Sequence, residues 1–145
     1  VAGRRLSRLG GTVVLDSEGL AKAAGGDGRA RAHLVKAEEH GARVVVSTVT
    51  LAEVLRGGPR DARVHRVLKG VVQVPVSAEI GRAAGEILGR AGLSGHRCTV
   101  DAIVAATALV QARPVLLLTS DPDDMAKLVE EPDMPKNRRV GIVHI

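Results

Sequence analysis

The chain has 145 residues, enough for one domain and too few for two independent cores, and it carries a formal net charge of +5. It is 45% apolar yet contains no Phe, Tyr or Trp, so its core is built from Val, Leu, Ile and Ala, which suits buried parallel strands and excludes a single-stranded nucleic-acid module that works by aromatic stacking. One cysteine, Cys98, excludes an intramolecular disulfide framework or a multi-cysteine zinc site and suits the reducing cytoplasm; no apolar run approaches the roughly 20 residues of a membrane span, and the basic opening Val1–Gly11 lacks the apolar middle of a signal peptide.

Hydrophobic periodicity predicts alternating strands and helices over 12–145, preceded by a basic extension over 1–11. Thr12–Asp16 reads as a strand and Ser17–Ala24 as a helix, which the glycine cluster at 25–28 interrupts; a second helix runs from about Arg29 to His40 and stops at Gly41. Arg43–Ser47 is a strand, Thr48–Arg56 a short helix closed by Gly57-Gly58-Pro59, and Ala62–Lys69 another helix. Val71–Val76 is a strand that Pro75 assigns to a sheet edge. Ser77 caps a helix over 77–91, Gly92–Arg97 is a loop, and Thr99–Ala112 is a strongly apolar helix. Val115–Thr119, Pro122–Glu131 and Val140–His144 complete the series as strand, helix and strand. Strands separated by helices imply right-handed crossovers and a parallel sheet covered on both faces, an α/β fold.

Ligands of such sheets sit beyond the carboxyl ends of the strands, and the pattern sends acids there. Asp16 ends the first strand and Asp121 follows the fourth. Asp101 is the one charge in the helix TVDAIVAATALVQA, and Glu53 the one ionisable group in VVVSTVTLAEVL. Each has a structural alternative. Thr50 and Glu53 match a capping box, Asp101 sits two residues after a candidate N-cap at Thr99, Asp121-Pro122 with Asp124 reads as a helix start, and Asp16 could cap the helix after it. Jointly the alternatives fare worse, because all four acids belong to the most apolar elements and two converge at one sheet edge; two carboxylates about 4 Å apart repel by roughly 4 kcal/mol at an effective dielectric of 20. A hard divalent cation, Mg2+ or Mn2+, removes that repulsion, prefers carboxylate and water oxygens, and bridges to phosphate. The basic remainder of the chain then reads as the surface that holds a polyanion.

The landmarks LDSEGL with Asp16, STVTLAEVLRG with Glu53, TVDAIVAATAL with Asp101, and LLTSDPDDM with Asp121 and Asp124 resemble, in this order and over nearly the whole chain, the PIN-domain ribonucleases, and more narrowly the VapC-type toxins of bacterial toxin–antitoxin pairs. The resemblance implies a three-layer α/β/α sandwich around a parallel sheet of four to five strands in the order 3-2-1-4-5. It also implies divalent-metal-dependent endonucleolytic cleavage of RNA, a homodimer, and a cognate antitoxin that silences the groove. On that basis Asp16, Asp101 and Asp121 would hold the metal, with Asp124 as a further acid of the same segment. Glu53 would bind water at the metal, or a second metal, and orient the nucleophile. Thr119 or Ser120 would hydrogen-bond an acid and set its rotamer.

Arg60, Arg63 and Arg66 recur every three residues and read as a solvated face or, alternatively, as a track for RNA phosphates. The five histidines show no metal spacing, and Cys98 lacks a basic partner for a thiolate. A non-catalytic PIN-like RNA-binding or protein-interaction domain is the competing reading. A receiver domain would want a lysine where Val143-His144-Ile145 offers none, and a haloacid-dehalogenase-type phosphatase needs Asp where the chain has Glu18.

Overall fold

The computed structural model describes residues 10–145, so the basic extension lies outside the described residues up to residue 9. Strand β1 (Thr12–Leu15) leads into helices α1 (Ser17–Gly25) and α2 (Gly28–Glu39). Strand β2 (Arg43–Ser47), helix α3 (Thr48–Val54), a 3-10 turn (Pro59–Asp61) and helix α4 (Ala62–Leu68) follow. Then come β3 (Val72–Val74), α5 (Ala78–Ala91), α6 (Gly95–Leu109), β4 (Val115–Thr119), α7 (Pro122–Leu128), a second 3-10 turn (Lys136–Arg138) and β5 (Gly141–His144). The sheet has five strands in the order β3-β2-β1-β4-β5, all parallel. β3 is an edge strand, as Pro75 requires of a residue that cannot donate to a ladder.

Side chains alternate across the buried strands and divide the core in two. Val14, Val45, Val115 and Leu117 join α5, α6 and α7 on one face, while Val13, Leu15, Val46 and Leu118 join α1, α2 and α4 on the other. This is the three-layer sandwich. Without aromatic residues, close approach replaces bulk: α6 contributes Ala102, Ala105, Ala106 and Ala108, none more than 1% exposed, to its contact with the sheet and α5. Among the described residues no helix is long and apolar enough to cross a membrane.

Several boundaries differ from those expected of the sequence. The helix α6 begins at Gly95, inside the predicted loop, because one left-handed residue, Gly92 at φ 65°, already turns the chain out of α5. The helix α3 stops at Val54, two residues early, because the amides of Arg56 and Gly57 are taken by the carboxylate of Asp61. Those bonds measure 2.9 and 2.7 Å, Asp61 is only 7% exposed, and the amide donors hold its carboxyl below the ordinary value of 3.8. A lowered carboxyl contributes stability above its unfolded pKa and loses it as pH falls through the folded one. Asp61→Ala is therefore expected to lower the melting temperature at pH 7, with the difference from wild type shrinking below about pH 4 in thermal melts across pH.

Candidate active site at the carboxyl edge of the sheet

β1 and β4 are neighbours in register, Leu15 against Leu118, so the residues that follow them emerge side by side. Asp16 is buried, 5% exposed, and both its oxygens are engaged: Oδ1 accepts from the Gly19 amide at 2.7 Å and Oδ2 from the Ser120 amide at 3.3 Å. The first bond caps α1. The second ties the mouth of β1 to the mouth of β4. Gly19 permits this closeness, since a Cβ there would meet Leu118 O at 3.3 Å and Asp16 Oδ1 at 3.4 Å.

Asp121 is exposed and caps α7, with the Asp124 amide 3.5 Å from its Oδ1. Thr119 is buried and its hydroxyl accepts from the Asp121 amide at 3.0 Å, so it positions the Asp121 backbone rather than a carboxylate. Ser120 also acts through its backbone, as the donor to Asp16, and its side chain is exposed. Asp16 and Asp121 are thus both helix caps and members of the edge.

Glu53 and Asp101 have no such local employment. α3 starts at Thr48 with Ser47 as its N-cap, so Thr50 is a residue of the first turn and the capping box does not form. α6 starts four residues before Thr99, which places Asp101 in the second turn, where the dipole has little hold on it. The two acids left without a structural purpose are the two that lie on the most apolar segments.

The structure brings Asp16, Glu53, Asp121 and Asp124 within electrostatic reach of Asp101. Burial pushes the Asp101 carboxyl up, and the charges of Asp121, Asp16, Glu53 and Asp124 push it further, to about 6. No cation offsets them: among the described residues the one ion pair is Arg113–Glu131, at 2.6 Å, elsewhere on the molecule. The donor set is oxygen throughout, which is the chemistry of a hard divalent ion. Among the described residues no group of three His, Cys, Asp or Glu side chains stands close enough to hold a metal ion.

Arg60, Arg63 and Arg66 stand apart from the acids. They line a trough of about 730 Å³ between the later half of α1 and α4, together with Ala21, Ala24 and Val54, and none of the five acids borders that trough. Cys98 is buried, as expected of a packed small residue.

The model of the PIN domain family matches residues 13–130, a span that contains every one of the five acids. A chain in the crystal structure of VapBC2 from Rickettsia felis bound to a DNA fragment from their promoter is similar in fold, with a TM-score of 0.67 at 16% sequence identity, over 92% of this chain and 98% of that one. No curated protein is matched by the sequence. The family match over most of the chain, the sheet order and the acids at its carboxyl edge agree, and the chain is a member of the PIN domain family.

Proposed function

We propose that the protein is a divalent-metal-dependent endoribonuclease and the toxin of a bacterial toxin–antitoxin pair, working in the cytoplasm as a homodimer. The observation that carries the catalytic part is the gathering of acids at the carboxyl ends of the paired strands β1 and β4, where Asp16 is tied to the Ser120 amide and no ion pair among the described residues offsets the charge; the raised carboxyl of Asp101 agrees with it. Uncompensated like charge at one edge costs stability, and a bound cation is what turns that cost into a purpose. The likeness to a chain of VapBC2, a two-component assembly by its name, supports the antitoxin partner.

Asp16, Asp101 and Asp121 are the residues that would hold Mg2+ or Mn2+, with Asp124 beside them and solvent completing the shell, as these ions prefer. When bound, the ion supplies charge against a phosphoryl oxygen and lowers the pKa of water. Asp16, fixed by two backbone donors, sets the position of the site. Glu53, exposed on α3, orients the attacking water and takes up its proton. Attack on phosphorus breaks the bond to O3′ of the preceding nucleotide, which takes a proton from solvent, leaving a 3′-hydroxyl and a 5′-phosphate. Arg60, Arg63 and Arg66 are assigned to the RNA backbone along the α1–α4 trough.

The test is cleavage of total cellular RNA followed with Mn2+, Mg2+ or EDTA, with end mapping of the products. Metal-dependent internal cuts bearing 5′-phosphates are expected. RNA binding without turnover in either metal would select the non-catalytic reading instead, and undiminished cleavage in EDTA would overturn the metal mechanism.

A further inference from the structure

Among the described residues, Thr50 Oγ1 is the one buried side-chain polar atom with no hydrogen-bond partner. The neighbouring hydroxyls are occupied: Ser47 accepts from the Val49 amide at 3.2 Å and Thr48 from the Val76 amide at 3.2 Å. Thr50 is 0% exposed. An unpaired hydroxyl in the interior is a net cost, and Val would fill the same volume without it. The hydroxyl therefore calls for a function.

Its direction follows from the helix. Successive residues of α3 are about 100° apart. Val49 packs into the core shared with α6, whereas Leu51 and Val54 pack into the core shared with α1. The sector between these two faces holds Thr50 and Glu53, one turn apart. α3 follows directly from the carboxyl end of β2 and packs against both α1 and α6. That sector consequently faces the sheet edge between the two layers, where the acids gather.

We infer that Thr50 is a positioning residue of the acidic centre, its hydroxyl donating to the Asp101 carboxylate when a divalent cation draws the carboxylates together. The inference rests on the reading of the site as a metal centre. Asp101 is the recipient that the packing favours, since α3 packs against α6, which carries Asp101, and not closely against α7, which carries Asp124. Asp16 already accepts two amides and Asp121 one, Glu53 is exposed to solvent, and Asp101 has no donor among the described residues on a half-buried position of the helix that α3 packs against. A donor there favours the ionised form that a cation needs, in the manner of the groups that orient metal ligands elsewhere.

The experiment compares wild type, Thr50→Val and Thr50→Ser by thermal melts in a Mn2+ titration, with RNA cleavage in parallel. Thr50→Val is expected to melt at or above wild type without metal, since it removes an unpaired buried group. It is expected to need at least about tenfold more Mn2+ for the same stabilisation, and Thr50→Ser is expected to recover most of that loss. Wild-type Mn2+ affinity and cleavage in Thr50→Val would overturn the inference. So would equal weakening by Val and Ser with a lowered metal-free melting point, which marks a packing role. A wild-type protein that gains nothing from Mn2+ and cuts no RNA removes the metal reading itself, and the inference with it. Where the wild type responds to Mn2+ and cuts RNA, a failure in the variants belongs to Thr50 alone.

Discussion

Asp101→Asn is expected to make the metal-free protein more stable and to abolish its activity. The carboxyl stands at about 6 rather than 3.8 because burial and four neighbouring acids oppose its ionisation. Taken at face value the shift corresponds to roughly 3 kcal/mol at neutral pH; solvent at this half-buried group reduces the figure to about 1–2 kcal/mol. Asparagine keeps the shape and removes the charge, so the melting temperature of the metal-free variant is expected to rise by about 3–6 °C at pH 7.5. The direction is the reverse of most core-proximal substitutions.

The same displacement fixes the pH dependence. A carboxyl with a raised pKa binds its proton more tightly in the folded state than in the unfolded state, so folding gains stability as pH falls from above 6 towards 4. The wild type should therefore gain on Asp101→Asn across that interval, and the two should converge near pH 4 in melts recorded in EDTA. Adding Mn2+ at pH 7.5 is expected to raise the wild-type melting point and leave that of Asp101→Asn nearly unmoved. Protons and cation compete for one carboxylate, so the Mn2+ requirement should increase as pH drops below about 6. A variant no more stable than wild type in EDTA would show that the neighbouring acids do not oppose the charge of Asp101.

Glu53 and Asp101 were legible in the sequence because each is the one ionisable group in an apolar stretch, and Asp16 and Asp121 because they follow the first and fourth apolar strands. The strand series was legible for a related reason, since runs such as VVL and LLL admit few alternatives between turn signals. The adjacency of β1 and β4 was not a matter of periodicity and came from the resemblance. Helix starts were harder. Ser94-Gly95 reads as loop, and the left-handed turn at Gly92 together with the packing of α6 on α5 and the sheet sets the helix start there.

Two features were illegible for a stricter reason. Asp61 matters through the amides of Arg56 and Gly57, which reach it only because Gly57, at φ 85°, turns the chain back. Thr50 matters because no acceptor or donor arrives from any neighbouring element, and the absence of a partner has no signature in composition. Hydroxyls at Ser47, Thr48 and Thr50 look equivalent in STVT; the fold occupies two of them and leaves the third.

Asp16 is expected to behave in the opposite sense to Asp101 although both are acids of one edge. Its carboxylate satisfies two amides, those of Gly19 and Ser120, at 2.7 and 3.3 Å. Asp16→Ala leaves both donors unpaired near the protein interior and removes the cap of α1, at a cost of about 1–3 kcal/mol and a drop of roughly 3–10 °C in melting temperature. Asp16→Asn keeps one carbonyl oxygen for Gly19 but turns an NH2 towards the Ser120 amide, while relieving part of the repulsion on Asp101. Those effects oppose each other, so its melting point should lie between those of Asp16→Ala and wild type. Cleavage is expected to fall by at least about 10³-fold in both variants, since the group lost is a site carboxylate rather than a group supporting one. The stabilities of the Asp16 and Asp101 variants thus separate the two causes that place acids at this edge. An acid that caps a helix would be retained in any stable fold, whereas one that weakens the fold is retained only for what it binds.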